Sequence, residues 1–104
     1  MKDLLDHEGR RVRLSAERRA HILGHPEMTG MIGGVTETLR SPEWVVRSSS
    51  DERVRLYYRT YFGTAVGDKY LCVVVKLDAR DAFVVTAYLT DAVKKGERLW
   101  PRKT

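Results

Sequence analysis

A single cysteine, Cys72, stands in the 104 residues of the chain, and a lone thiol excludes an internal disulfide. It lies within the apolar run from Leu71 to Val75, where a cysteine behaves as a small buried hydrophobe. No apolar run approaches the ~20 residues that a membrane-spanning helix needs. The opening stretch through Arg13 is polar and charged, so no signal peptide is expected. A reducing, cytoplasmic compartment fits both readings. Internal repeats and low-complexity segments are missing as well. Hydrophobic residues at 42% and charged residues at 32% exclude the composition of a disordered chain, and the length suits one core and one domain. What the sequence has in excess is positive charge, with a formal net charge of +5. That excess favours an anionic partner without naming it.

The hydrophobic pattern places helices first and strands afterwards. Residues 1–9 read as a loosely held arm and 11–14 as a short strand. Ser15 is a good N-cap for a helix over 16–23, stopped at Gly24. Pro26 suits the first position of a second helical segment. Met28, Met31, Ile32, Val35 and Leu39 recur at helical spacing, while Gly30, Gly33 and Gly34 predict one interrupted helix or two short ones. A strand over 44–47 precedes three long strands over 53–62, 69–78 and 81–89, joined by connections short enough for hairpins. Thr90 and Asp91 are expected to cap a last turn over 92–95, closed by Gly96. Helices followed by antiparallel strands predict an α+β fold.

Alternation assigns a face to each residue of the long strands. One face collects Leu56, Tyr58, Leu71, Val73, Val75, Leu77, Phe83, Val85, Ala87 and Leu89, a core. The other collects Arg55, Tyr57, Arg59, Tyr61, Tyr70, Lys76, Thr86 and Tyr88, with no acid in the strand interiors. Arg59 would grip a phosphate through parallel hydrogen bonds, and Lys76 would add a compact charge. Tyr57, Tyr88 and Tyr61 would stack bases or donate hydroxyl hydrogens, and Thr86 would orient a phosphate oxygen. Arg55, nearer the strand start, would steer the substrate, and the run containing Lys94 and Lys95 would add secondary phosphate contacts.

Three readings fit the stretch HILGHPEM. Zinc would use His21 and His25, four apart, with Glu27 beyond, but Gly24 and Pro26 interrupt the turn and no second ligand cluster accompanies them. One histidine capping the helix beside a surface neighbour is the purely structural alternative. Proton transfer suits the pair best, because histidine titrates near neutral pH.

The ordered series RVRLSAERRAHILGHPEM, SPEWV, LYYR, KYLCVVVK and FVVTAYLTD resembles a phage- and toxin-associated branch of the barnase–EndoU–colicin–RelE superfamily of ribonuclease-like domains. The resemblance runs from Arg11 to about Trp100. It implies one or two N-terminal helices behind a twisted antiparallel sheet of about four strands, with the active groups on the open face. It further implies RNA cleavage without metal or cofactor, and a toxin neutralised by a small antitoxin or immunity protein. Carried onto this chain, the family positions are His21, Arg59, Lys76, Thr86 and Tyr88. The expected reaction starts with removal of the RNA 2′-OH proton by His21 or His25. The oxygen then attacks phosphorus, Arg59 and Lys76 stabilise the added charge, and Tyr88 is the alternative acid. Its products are a 2′,3′-cyclic phosphate and a 5′-hydroxyl. The rival readings are a non-catalytic nucleic-acid-binding module and a toxin-fold protein that mainly binds a partner protein.

Overall fold

The alternating runs assemble into one mixed sheet instead of about four antiparallel strands. The computed structural model of the protein describes residues 2–102. Its elements are β1 (Lys2–Leu5), β2 (Arg11–Leu14), α1 (Ala16–Leu23), a single 3₁₀ turn (Pro26–Met28), α2 (Ile32–Arg40), β3 (Trp44–Ser48), β4 (Val54–Thr64), β5 (Gly67–Asp78), β6 (Asp81–Thr90) and β7 (Gly96–Trp100). The seven strands lie in the order β1-β2-β6-β5-β4-β3-β7. Every pairing is antiparallel except that of β2 with β6, which meet at Arg13 and Phe83. No helix among the described residues is long and apolar enough to cross a membrane.

The α+β class and the helices follow the local sequence. Ser15 caps α1, its Oγ accepting from the Arg18 N–H at 3.1 Å. Gly30, at φ +78°, interrupts the second segment after the 3₁₀ turn, whereas Gly33 and Gly34 lie inside α2, and Met28, Val35 and Leu39 are buried as their spacing predicts. Gly34 has a packing reason: a Cβ there would meet Leu71 Cδ2 at 3.1 Å and the Tyr61 ring at 3.3 Å. Its absence lets α2 lie close to β4 and β5.

Both ends of the chain depart from expectation. Instead of a loose arm, β1 pairs with β2 through Leu4 and Val12. The turn between them is built on Asp6, whose side chain is fully buried. Its Oδ1 accepts from the N–H groups of Glu8 and Arg10 at 2.9 and 2.8 Å. Its Oδ2 accepts from Arg10 Nη1 at 2.9 Å and the Tyr57 hydroxyl at 2.8 Å. Residues 92–95 form no helical turn, and Gly96 opens β7 instead of closing a helix. A Cβ on Gly96 would stand 2.3 Å from the Arg47 carbonyl oxygen, so β7 docks on β3 only with glycine there.

The helices cover one face of the sheet, over a core that includes Val12, Val45, Tyr57, Leu71, Val73, Val75, Val84 and Ala87. The opposite face carries a smaller cluster of Val46, Leu56, Tyr58 and Cys72, flanked by Tyr70, Val74 and Tyr88. For β5 the predicted facing is right. For β4 it is inverted, because both faces of that strand are apolar and Tyr57 turns inward to reach Asp6. In β6 a bulge leaves Val85 unpaired between Val84, opposite Val75, and Thr86, opposite Val74. Ala82 and Val84 therefore enter the core in place of Phe83 and Val85.

Removing the buried Asp6 carboxylate takes the acceptor from two turn N–H groups, from the half-exposed Arg10 guanidinium and from the buried Tyr57 hydroxyl. Asp6→Ala should cost about 3 kcal/mol, and Tyr57→Phe, which leaves Asp6 its other donors, about 1 kcal/mol. Urea unfolding checks both, and equal costs would refute the anchoring role. Gly96→Ala should lower the unfolding midpoint and change the fluorescence of Trp100. An unaltered midpoint would show that β7 docks without the close approach.

Candidate functional site

The predicted site residues fall into three groups, with Lys94 and Lys95 in the groove beside Thr86 and Tyr88. Lys76, Thr86 and Tyr88 share the face away from the helices, since their partners Val54, Val74 and Cys72 belong to its apolar cluster. Arg55, Tyr57, Arg59 and Tyr61 lie on the helix-covered face, opposite Val75, Val73, Leu71 and Lys69. His21 and His25 are exposed in the helix layer, their rings 5.8 Å apart and T-shaped. The sheet therefore separates the histidines and Arg59 from Lys76, and these groups form no single centre. Tyr57 is buried and donates to Asp6, which rules out base stacking. Burial, with the Asp6 carboxylate beside it, also pushes its hydroxyl pKa up. Tyr61 donates its one hydroxyl proton to Glu37 at 2.5 Å, with the Gly34 carbonyl oxygen 3.2 Å away. Its pKa is pushed up to about 12, chiefly by burial.

What the fold does bring together lies where the outermost strands approach each other. The sheet curls toward its helix side until His7, just after β1, sits against Trp100 at the end of β7. Their ring centroids are 5.0 Å apart, and Tyr57 lies edge-on to His7 at 6.0 Å. At this seam opens a cleft of about 560 Å³ lined by His7, Glu8, Arg40, Arg59, Trp100 and Arg102, with Ser41 and Pro42. The last turn of α2 delivers Arg40. Arg59 reaches in from β4, its Nη1 donating to the Ser41 carbonyl at 2.6 Å and its Nε standing 3.5 Å from Glu37. Among the described residues neither Arg40 nor Arg102 has an ion-pair partner. Glu8 lies 3.8 Å from His7 Nε2, 4.0 Å from Arg10 and 3.9 Å from Arg55. The Arg55 Nε is buried without a hydrogen-bond partner.

Of the expected groups only Arg59 belongs to this cleft. His7 and Glu8 escape a pattern reading because residues 1–9 resemble an arm. The signal was there: Asp-His-Glu-Gly-Arg between Leu4-Leu5 and Val12 is turn chemistry between short apolar runs.

The cleft can do two things chemically. Its guanidinium groups can hold a phosphate, and its imidazole and carboxylate can exchange protons with a bound ester. Metal binding suits it less, although Asp6, His7 and Glu8 present ligand atoms within 4.8 Å of one another. Both Asp6 oxygens already accept two donors each, and two arginines crowd Glu8. A smaller hollow of about 220 Å³ beside Lys69 is lined by Asp68 and Asp91 and offers an anion little.

On the opposite face, a groove of about 360 Å³ is lined by Ser48–Ser50, Asp51, Thr86, Tyr88, Lys94 and Lys95 over a floor of Val54, Leu56 and Val74. Lys76 stands 3.7 Å from Asp51, whose carboxyl pKa is lowered, first by the Arg53 backbone N–H. The Tyr58 hydroxyl accepts from the Lys94 N–H at 3.0 Å and is pushed up to about 12, mainly by burial. Burial also raises the Tyr88 hydroxyl and the Cys72 thiol. A hydroxyl shifted upward by burial makes Tyr88 a poor choice for the acid of a reaction near neutral pH. In the native protein Cys72 should resist iodoacetamide at pH 8 and react once urea unfolds the chain. Rapid native alkylation, read by mass spectrometry, would contradict this burial.

Compared with known protein families, with characterised proteins and with solved structures, the chain matches none.

Proposed function

We propose that the protein is a metal-independent endoribonuclease whose centre is the seam cleft. The observation that carries this reading is the meeting, in one opening, of a histidine–carboxylate pair, three arginines and an indole. The residue-level resemblance to the barnase–EndoU–colicin–RelE superfamily supports the same chemistry and a related fold, with the catalytic groups moved from His21, His25 and Lys76 to the seam.

RNA supplies its own nucleophile, so the protein needs a base, an acid and a cationic cradle. Glu8 takes the 2′-OH proton, and the freed oxygen attacks the adjacent phosphorus. His7 gives a proton to the departing 5′-oxygen, leaving a 2′,3′-cyclic phosphate and a 5′-hydroxyl. Arg40, Arg59 and Arg102 face the extra negative charge on phosphorus in the transition state. Trp100 offers a ring for a base to stack on. Arg59 is held by the Ser41 carbonyl and Glu37, so its reorganisation during reaction is small. The resemblance also carries a toxin role, in which a small partner protein with an acidic face would silence the domain by covering these arginines.

Purified protein should cut a mixed RNA pool in EDTA and leave cyclic phosphate ends. In single-turnover assays His7→Ala and Glu8→Gln should each lower the rate by ~10²–10⁴, and Arg40→Ala or Arg59→Ala by ~10²–10³. Losses should be less than additive, since the groups act on one phosphate. Trp100→Ala should mainly raise KM. Circular dichroism confirms folding of each variant. Binding of RNA without cleavage would replace this reading with the binding module. Full activity of His7→Ala together with loss in Lys76→Ala would move the centre to the opposite face.

A further inference from the structure

The positive charge of the chain is unevenly paired. Arg13, Arg47, Arg53, Lys69 and Lys76, like most cations of the sheet, face an acid within 4.0 Å. Among the described residues, Arg40, Lys94, Lys95, Arg98 and Arg102 have no such partner, and all five line one margin of the molecule. Arg18, Arg19 and Arg80 also have none among the described residues. That margin is β7. Lys94 and Lys95 precede its first residue on the open-face groove, and Trp100 and Arg102 end it in the seam cleft. Arg98, opposite Val46, stands exposed between them on the open-face side.

We propose that one extended single strand of RNA crosses the β7 margin and occupies both the seam cleft and the open-face groove. The substrate class is thus single-stranded RNA several nucleotides longer than the cleaved step. This rests on the ribonuclease reading of the cleft and adds a path to it. The five residues of β7 span about 17 Å at strand rise, a distance that several nucleotides cover and a dinucleotide does not. In the groove, Lys94 and Lys95 meet phosphate, the serine and threonine hydroxyls suit phosphate and 2′-OH, and Val54, Leu56 and Val74 offer an apolar floor to a base. The one acid there, Asp51, is already shared between the Arg53 N–H at 3.0 Å and Lys76. A duplex cannot follow this route, because passing from one face of a sheet to the other over a single strand requires a bend far sharper than a stiff helix allows.

The test uses fluorescence anisotropy with 2′-O-methyl RNA, which lacks the nucleophile and stays intact. A single strand of about nine nucleotides should bind at least about tenfold tighter than a dinucleotide, and a blunt duplex of the same sequence should not compete. Lys94→Ala/Lys95→Ala should abolish that length advantage and lower the slope of log affinity against log salt by about 1.4. Its effect on the dinucleotide should be small. Arg40→Ala/Arg102→Ala should weaken both ligands. Equal affinity for long and short ligands, or a lysine variant that binds the long strand like wild type, overturns the path while leaving the cleft reading intact. Dinucleotide binding that ignores the arginine variant overturns the cleft reading itself. Competition by the duplex overturns the single-strand assignment.

Discussion

Burying a carboxylate is costly unless its lone pairs are met by donors, and at Asp6 each oxygen accepts two. Two of the donors are N–H groups of its own turn, one is Arg10 and the last is Tyr57 in mid-β4. Through Tyr57 the first hairpin is tied to a strand four places away in the sheet order. The consequences are cumulative. The hairpin turn is rigid, His7 is the next residue, and its ring is brought against Trp100 on the far margin. The sheet is thereby held in a curl whose two margins approach each other, and the cleft exists because they do. An unpaired margin is normally a hazard, since its free backbone groups invite another chain. Here one margin carries cations that have no ion-pair partner among the described residues, and their charge discourages such pairing.

The course of the chain was readable where one face of an element is apolar and the other is not. Helix α1 with its Ser15 cap, the interrupted second segment and the three long strands follow from spacing alone. Alternation fails where both faces are covered. In β4 Leu56 and Tyr58 pack on one side and Tyr57 on the other, so alternation cannot tell inside from outside. A tyrosine enters the core as easily as a leucine when a buried acceptor waits for its hydroxyl. The bulge at Val85 shifts half of β6, and nothing in a pattern of period two announces it.

The site was less legible than the fold for a related reason. His7 and Trp100 are separated by nearly the whole chain, and the contact between them follows from sheet order and curl, which strand patterns do not specify. Arg59 stands out in the sequence because charge at mid-strand is unusual. Arg40 and Arg102 look like ordinary solvated residues until the fold sets them beside it. The histidines of HILGHPEM, conspicuous in one dimension, stay exposed on the helix layer, with Glu27 3.9 Å from His25.

The Val85 bulge has a consequence for how the domain could change over generations. Val84 faces the core and Thr86 the open face, although they are two residues apart. Deleting Val85 would therefore leave a regular strand in which every remaining side chain keeps its facing. The local kink and extra twist that a bulge imposes would be lost. Such a deletion straightens β6 locally while each core residue keeps its own side of the sheet. A one-residue length change in β6 is thus a step that the core can absorb, remote from every residue that lines the cleft.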